Sequence, residues 1–87
     1  MTMALELFKL DLGISHSKRD RYFLQLLKSA ENEIKGKGIS INLEKSDDLL
    51  LVVDFALWRY RKRTEDVPLS KNIRQRIRDR IVKERAK

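Results

Sequence analysis

Apolar residues recur at helical spacing in four stretches of the chain, separated by short connections. The first stretch, residues 3–12, ends at Gly13, a residue that readily adopts the left-handed conformation closing a helix. In the second, residues 17–35, the apolar side chains lie within one arc of a helical projection, and Ser17 precedes Asp20 by three residues as in a capping box. The pattern predicts two helices that each bury one face.

Residues 39–43 alternate apolar and polar side chains, which suits a short extended segment with its apolar residues turned inward. A single strand has no partner within the chain, so the segment is either an extended loop or a strand that pairs with a neighbouring copy. The third helical stretch follows Ser46, a predicted N-cap, and has Asp47 and Asp48 in its first turn. Its apolar residues cover nearly every direction around the axis, which predicts a central, mostly buried helix.

After a predicted turn at residues 64–68, the last stretch combines apolar and basic residues on separate faces, and Pro68 or Ser70 suits its start. Its apolar seam is Leu69, Ile73, Ile77 and Ile81. A first basic row on one side is Lys71, Arg74, Arg78 and Arg85, and a second basic row on the other side is Arg76, Arg80, Lys83 and Lys87. The seam, with Arg74, Arg78 and Arg85, is expected to bind an acidic-edged groove on another protein or on a neighbouring subunit. Two alternatives are a solvated helix stabilised by its own ion pairs and a seam that covers the chain's own core.

Two residues of the central helix stand out. Asp54 lies among apolar residues, and because a buried carboxylate needs a cation we expect an ion pair with Arg61 or with an arginine of the last helix, in the same or an adjacent copy. Trp58 closes the apolar part of the helix and is predicted to anchor the core against Tyr22 or Phe23. The alternative for Trp58 is a place at a subunit interface.

The length of 87 residues allows one domain, which we divide into a core of residues 1–68 and a basic C-terminal helix of residues 69–87. The predicted fold class is all-α, a small bundle of about four helices. Because a chain of this size buries only about 60–65% of its unfolded surface, completion of the core by another copy or a partner is plausible. With 41% apolar and 38% charged residues, the composition argues against disorder.

The net charge of +7 is unevenly distributed. Residues 1–58 carry 8 basic and 9 acidic side chains, whereas residues 59–87 carry 12 basic and 4 acidic ones. The whole excess therefore lies in the last third, which indicates an acidic partner or nucleic acid for that segment.

Catalytic, metal and membrane functions have little support in the sequence. The chain has no cysteine, and its one histidine, His16, lies in a polar Ser-His-Ser segment. Gly36-Lys37-Gly38 lacks the remaining residues of a phosphate-binding loop, and the longest apolar run, residues 49–53, is far shorter than the roughly 20 residues of a membrane span. We therefore expect a cytoplasmic site of synthesis, no catalysis and no cofactor.

Three segments of the chain are characteristic: LFKLDLGI at residues 7–14, LLKSAENEI at residues 26–34 and LVVDFALWRYR at residues 51–61. Together they resemble the small head–tail connector (head-completion adaptor) proteins of tailed bacteriophages. The first is similar to the end of that family's first helix, the second to its second helix and the third to its central helix. The order of elements, with a proline-containing turn and a last helix, is also similar.

This resemblance implies an all-helical structural protein of the virion neck. Members of the family form rings, commonly of about twelve or thirteen copies, beneath the portal protein. Such a ring extends the DNA channel without reading sequence and offers a docking surface to the next neck (stopper) protein, while C-terminal segments engage the portal. The density of arginine and lysine in this last helix departs from the family and leaves open whether the helix faces portal carboxylates or DNA.

The main alternative is a small basic DNA-binding regulatory protein, which the basic last third favours. The chain lacks a clear helix-turn-helix pair, however, and Asn72 and Gln75 are almost the only base-reading side chains of the last helix. A helical subunit of a nonviral complex is a third possibility.

Overall fold

The computed structural model describes residues 1–63 and 68–85. It contains four helices: α1 (Thr2–Leu12), α2 (Asp20–Lys35), α3 (Ser46–Lys62) and α4 (Lys71–Arg85). These helices form a small all-α bundle, which confirms the predicted fold class. Part of the turn predicted at residues 64–68 and the basic residue Lys87 lie outside the described residues.

Helix α3 is the centre of the bundle and packs against each of the other three helices. Its buried side chains point in several directions, as its sequence predicted; they are Asp48, Leu51, Val52, Val53, Phe55, Ala56 and Leu57. Helices α1 and α2 cover one side of it through Phe8 and Phe23, whose ring centroids lie 5.0 Å apart. Helix α4 covers another side.

Backbone geometry at the helix ends confirms some predicted caps and corrects others. Gly13 has φ 72° and ends α1 as expected, since only glycine adopts this conformation without strain. Ser70 caps α4, because its Oγ accepts the Ile73 N–H at 3.1 Å. Ser17 does not cap α2, which begins at Asp20, and Ser46 is the first residue of α3 rather than its cap.

Residues 39–43 form an extended loop, and no strand occurs among the described residues. Ile39 is buried, while Ile41 and Leu43 are partly buried against the same core. The inward alternation of the segment was therefore predicted correctly, and the strand that would pair with a neighbouring copy stays a prediction.

Candidate functional site

The apolar seam of α4 packs against the chain's own core. Ile73 and Ile77 are 9% and 7% exposed, and Leu69 and Ile81 are partly buried against the same cluster. All four side chains are thus used within the bundle. The seam therefore matches the alternative in which it covers the chain's own core, and its binding to a portal protein or a neighbouring subunit stays a prediction.

Asp48, near the start of α3, is the most completely buried charged residue among those described. Its Oδ2 accepts the Asn42 N–H at 2.8 Å, and its Oδ1 accepts a hydrogen bond from Arg80 of α4. Arg80 also donates to the Ser40 carbonyl at 2.8 Å. These four residues, the Asp48 network, connect α3, the 39–43 loop and α4.

The charges around Asp48 determine its ionisation. Burial raises the pKa of this carboxyl, but the hydrogen bonds from Arg80 and from the Asn42 N–H, together with the positive charges of Arg80 and Lys45, outweigh burial and leave the pKa below its ordinary value. Asp48 is therefore an ionised group that stabilises the docking of α4.

Sequence reasoning missed this network, since Asp48 was explained only by the favourable field at a helix N-terminus. A signal was present in the spacing. Asp48 precedes Val52 by four residues and Phe55 by seven, so it lies on the same buried face of α3.

Asp54 pairs with Arg76 of α4 at 2.7 Å, which agrees with one of the two expected sources, the last helix. The other source is wrong: Arg61 pairs with Asp11 of α1 at 2.8 Å. Asp54 is also less buried than expected, because its side chain is 40% exposed. The position of Asp54 at the edge of the α3–α4 contact lets water reach the pair.

Arg76 and Arg80, two members of the second basic row, thus face carboxylates of α3. The first basic row points the other way. Its members Lys71, Arg74, Arg78 and Arg85 are all exposed, and within the described part of the chain none of them forms an ion pair. Val82, 62% exposed, lies on the same outer face of α4. The candidate interaction surface is therefore this outward row of cations, without the seam.

Trp58 is half-buried rather than central to the core. Its ring packs on Phe55 with centroids 5.5 Å apart, and the Lys62 Nζ lies 4.8 Å from the ring centroid. Tyr60, not Trp58, contacts Phe23, with ring centroids 5.7 Å apart. The predicted contact of Trp58 with Tyr22 or Phe23 is wrong, because residues 58 and 60 point to nearly opposite sides of α3.

Among the described residues, no group of three or more histidine, cysteine or acidic side chains is placed to hold a metal ion. His16 is exposed, and its Nδ1 accepts the Lys18 N–H at 3.3 Å. No helix in residues 1–63 and 68–85 is long and apolar enough to cross a membrane.

Comparisons with family models, curated proteins and solved structures give no match to this chain.

Proposed function

We propose that this chain is a structural component of a bacteriophage neck, a head–tail connector that forms a ring beneath the portal protein and extends the DNA channel. The resemblance of residues 7–14, 26–34 and 51–61 to that family supports the proposal. These segments fall on α1, α2 and α3 in the order that the family implies. The small all-α bundle, whose size favours completion by other copies, is consistent with it.

The observation that carries the proposal is the outward first basic row of α4. The seam and the second row dock α4 on its own bundle, which leaves Arg74, Arg78 and Arg85 directed to the exterior. A row of exposed cations on one helix is complementary to an acidic surface, and such complementarity accelerates and orients association. The proposed partner for this row is an acidic surface of the portal protein.

Further partners follow from the same proposal. Neighbouring copies complete the ring, a stopper protein docks on its lower face, and DNA passes through it without sequence recognition. The protein acts in the virion neck after synthesis in the host cytoplasm, and it needs neither catalysis nor a cofactor.

Co-purification with a tailed-phage portal protein tests the proposal, and the connector function requires that the same genome encode one. The chain is expected to bind assembled portal, and Arg74→Glu with Arg78→Glu is expected to slow association by at least tenfold at low salt, as for charges that direct encounter. The control, Lys28→Glu with Lys37→Glu, makes the same change of charge at exposed sites off α4 and should bind as the native chain does. The absence of portal binding, or equal losses in both variants, would contradict the proposal.

A DNA-binding regulator is the second candidate, because the exposed first basic row also suits phosphates. The two functions differ in selectivity. Non-specific affinity for duplex DNA lies at about 10⁻⁴–10⁻⁶ M near physiological salt. Sequence-selective binding far tighter than this, without portal binding, would favour the regulator, whereas portal and capsid genes directly upstream would favour the connector.

A further inference from the structure

Two arginines meet at the end of the bundle where α2 begins and α3 ends. Arg19, just before α2, and Arg63, just after α3, both contact the rings of Tyr22 and Tyr60. We call these four residues the arginine–tyrosine cluster. It is separate from the first basic row, which lies on α4.

The tyrosines hold both guanidinium groups in defined positions. The Arg19 Cζ lies 5.4 Å from the Tyr22 ring centroid and 5.9 Å from that of Tyr60, and the Arg63 Cζ lies 5.0 Å and 5.3 Å from the same two centroids. Arg19 donates to the Tyr60 hydroxyl at 3.2 Å, and Arg63 donates to the Tyr22 hydroxyl. Stacking on aromatic rings therefore orients both arginines without neutralising either.

Among the described residues, neither Arg19 nor Arg63 forms an ion pair. The carboxylates of Asp11 and Asp20 pair with Arg61 and Lys9. Two guanidinium groups on the same pair of rings repel each other, and an anion bridging them would offset that repulsion. Each guanidinium carries five N–H donors in a planar fork, a geometry that matches phosphate oxygens.

We propose that Arg19 and Arg63 bind a backbone phosphate of duplex DNA. Both arginines are exposed, and Lys18 and Arg21, which neighbour Arg19 and Tyr22 in the sequence, are exposed as well and add positive charge around the cluster. An extended polyanion fits such a surface better than a single free phosphate, which proteins usually enclose more completely. The inference rests on the proposed function and deepens it, because it names the surface of the connector that faces the DNA.

Fluorescence anisotropy with a random-sequence DNA duplex tests the inference on the full chain between about 50 and 200 mM salt. The variant Arg19→Gln with Arg63→Gln removes two charges but keeps side chains that can bond the tyrosine hydroxyls. We expect it to weaken binding about tenfold at low salt and to lower the salt slope of log affinity by about one, because the two arginines share one phosphate. Urea denaturation of the same variant verifies that it is folded.

The matched control is Lys28→Gln with Lys37→Gln, which removes two charges at exposed positions of α2 and the turn after it. Both its affinity and its salt slope should stay close to those of the native chain. Equal losses in the two variants would show that binding follows net charge alone and would overturn the inference. Saturable binding of inorganic phosphate that DNA does not displace would also overturn it.

Portal binding separates this inference from the proposed function. We expect the Arg19→Gln, Arg63→Gln variant to bind portal as the native chain does, because the first basic row is intact. If this variant binds portal but keeps the native salt slope for DNA binding, the inference is contradicted and the connector proposal is not. If the variant loses part of the salt slope but the native chain does not bind portal, the connector proposal is contradicted and DNA binding by the cluster is not.

Discussion

Asp48 and Asp54 differ sharply in burial, although each pairs with an arginine of α4. The Asp48 side chain is 5% exposed and that of Asp54 is 40% exposed. We predict that Asp48→Asn lowers the free energy of unfolding by about 2–4 kcal/mol, because it leaves Arg80 without its buried counter-charge. Asp54→Asn should cost at most about 1 kcal/mol, as for solvent-exposed pairs. Urea denaturation measures both, and equal losses would contradict the assigned role of the Asp48 network.

The lowered pKa of Asp48 predicts a pH dependence of stability. Because the carboxyl binds its proton more weakly in the folded chain than in the unfolded one, its contribution is fully present above its unfolded pKa. The contribution is lost as pH falls through the lower, folded-state pKa. The difference in stability between the native chain and Asp48→Asn should therefore be largest near neutral pH and shrink below about pH 4. A difference that is constant down to the acid transition would contradict this ionisation.

Phe23 and Trp58 provide a test of which aromatic residue anchors the core. Phe23 is fully buried between Phe8 and Tyr60, so Phe23→Ala should cost about 3–5 kcal/mol. Trp58 is half-buried against Phe55, and Trp58→Ala should cost less, about 1–3 kcal/mol. The comparison of denaturation midpoints checks this order. A larger loss for Trp58→Ala would restore the sequence-based view of Trp58 as the core anchor.

Helix α4 is the helix that can detach most readily from the bundle, because it packs mainly on α3. We predict that Ile77→Asp detaches α4, since the new carboxylate would be buried without a partner. Hydrogen exchange should then show loss of protection in α4 amides and retention of protection in α1, α2 and α3. Unchanged protection of α4 in this variant would contradict the packing of the seam on the core.

Helical periodicity predicted α1, α3 and α4 well, because each has a strong local signal such as Gly13 or the Ser70 cap. The start of α2 was placed too early, since a capping-box spacing does not require the cap to form. The target of the seam could not be predicted. An apolar stripe on a helix has the same sequence whether it covers the chain's own core or a partner's groove, and only the three-dimensional position of α4 distinguishes them.

The pairing of charges was harder still to predict from sequence. Asp54 and Arg76 are 22 residues apart and Asp48 and Arg80 are 32 apart, so each pair depends on how α3 and α4 cross. The same crossing divides the basic residues of α4 into a second row that stabilises the bundle and a first row that faces outward. The charge count alone shows an excess of cations but does not assign them to either task.

The molecule has two separate basic surfaces, for which we propose different partners. We propose that the first basic row on α4 binds portal carboxylates. We propose that the arginine–tyrosine cluster, at the start of α2 and the end of α3, faces DNA. In a ring, repetition of a weak surface around the channel multiplies its effect on a bound polymer. A modest affinity of the isolated chain for DNA is therefore compatible with a continuous contact in the assembled neck.

Electron cryomicroscopy of this chain mixed with a tailed-phage portal protein tests the proposed connector function. We predict a closed ring of four-helix subunits beneath the portal, with the outer face of α4 against the portal and Arg19 and Arg63 directed to the channel. A portal without added density, or a chain found only on a specific DNA sequence, would contradict the claim.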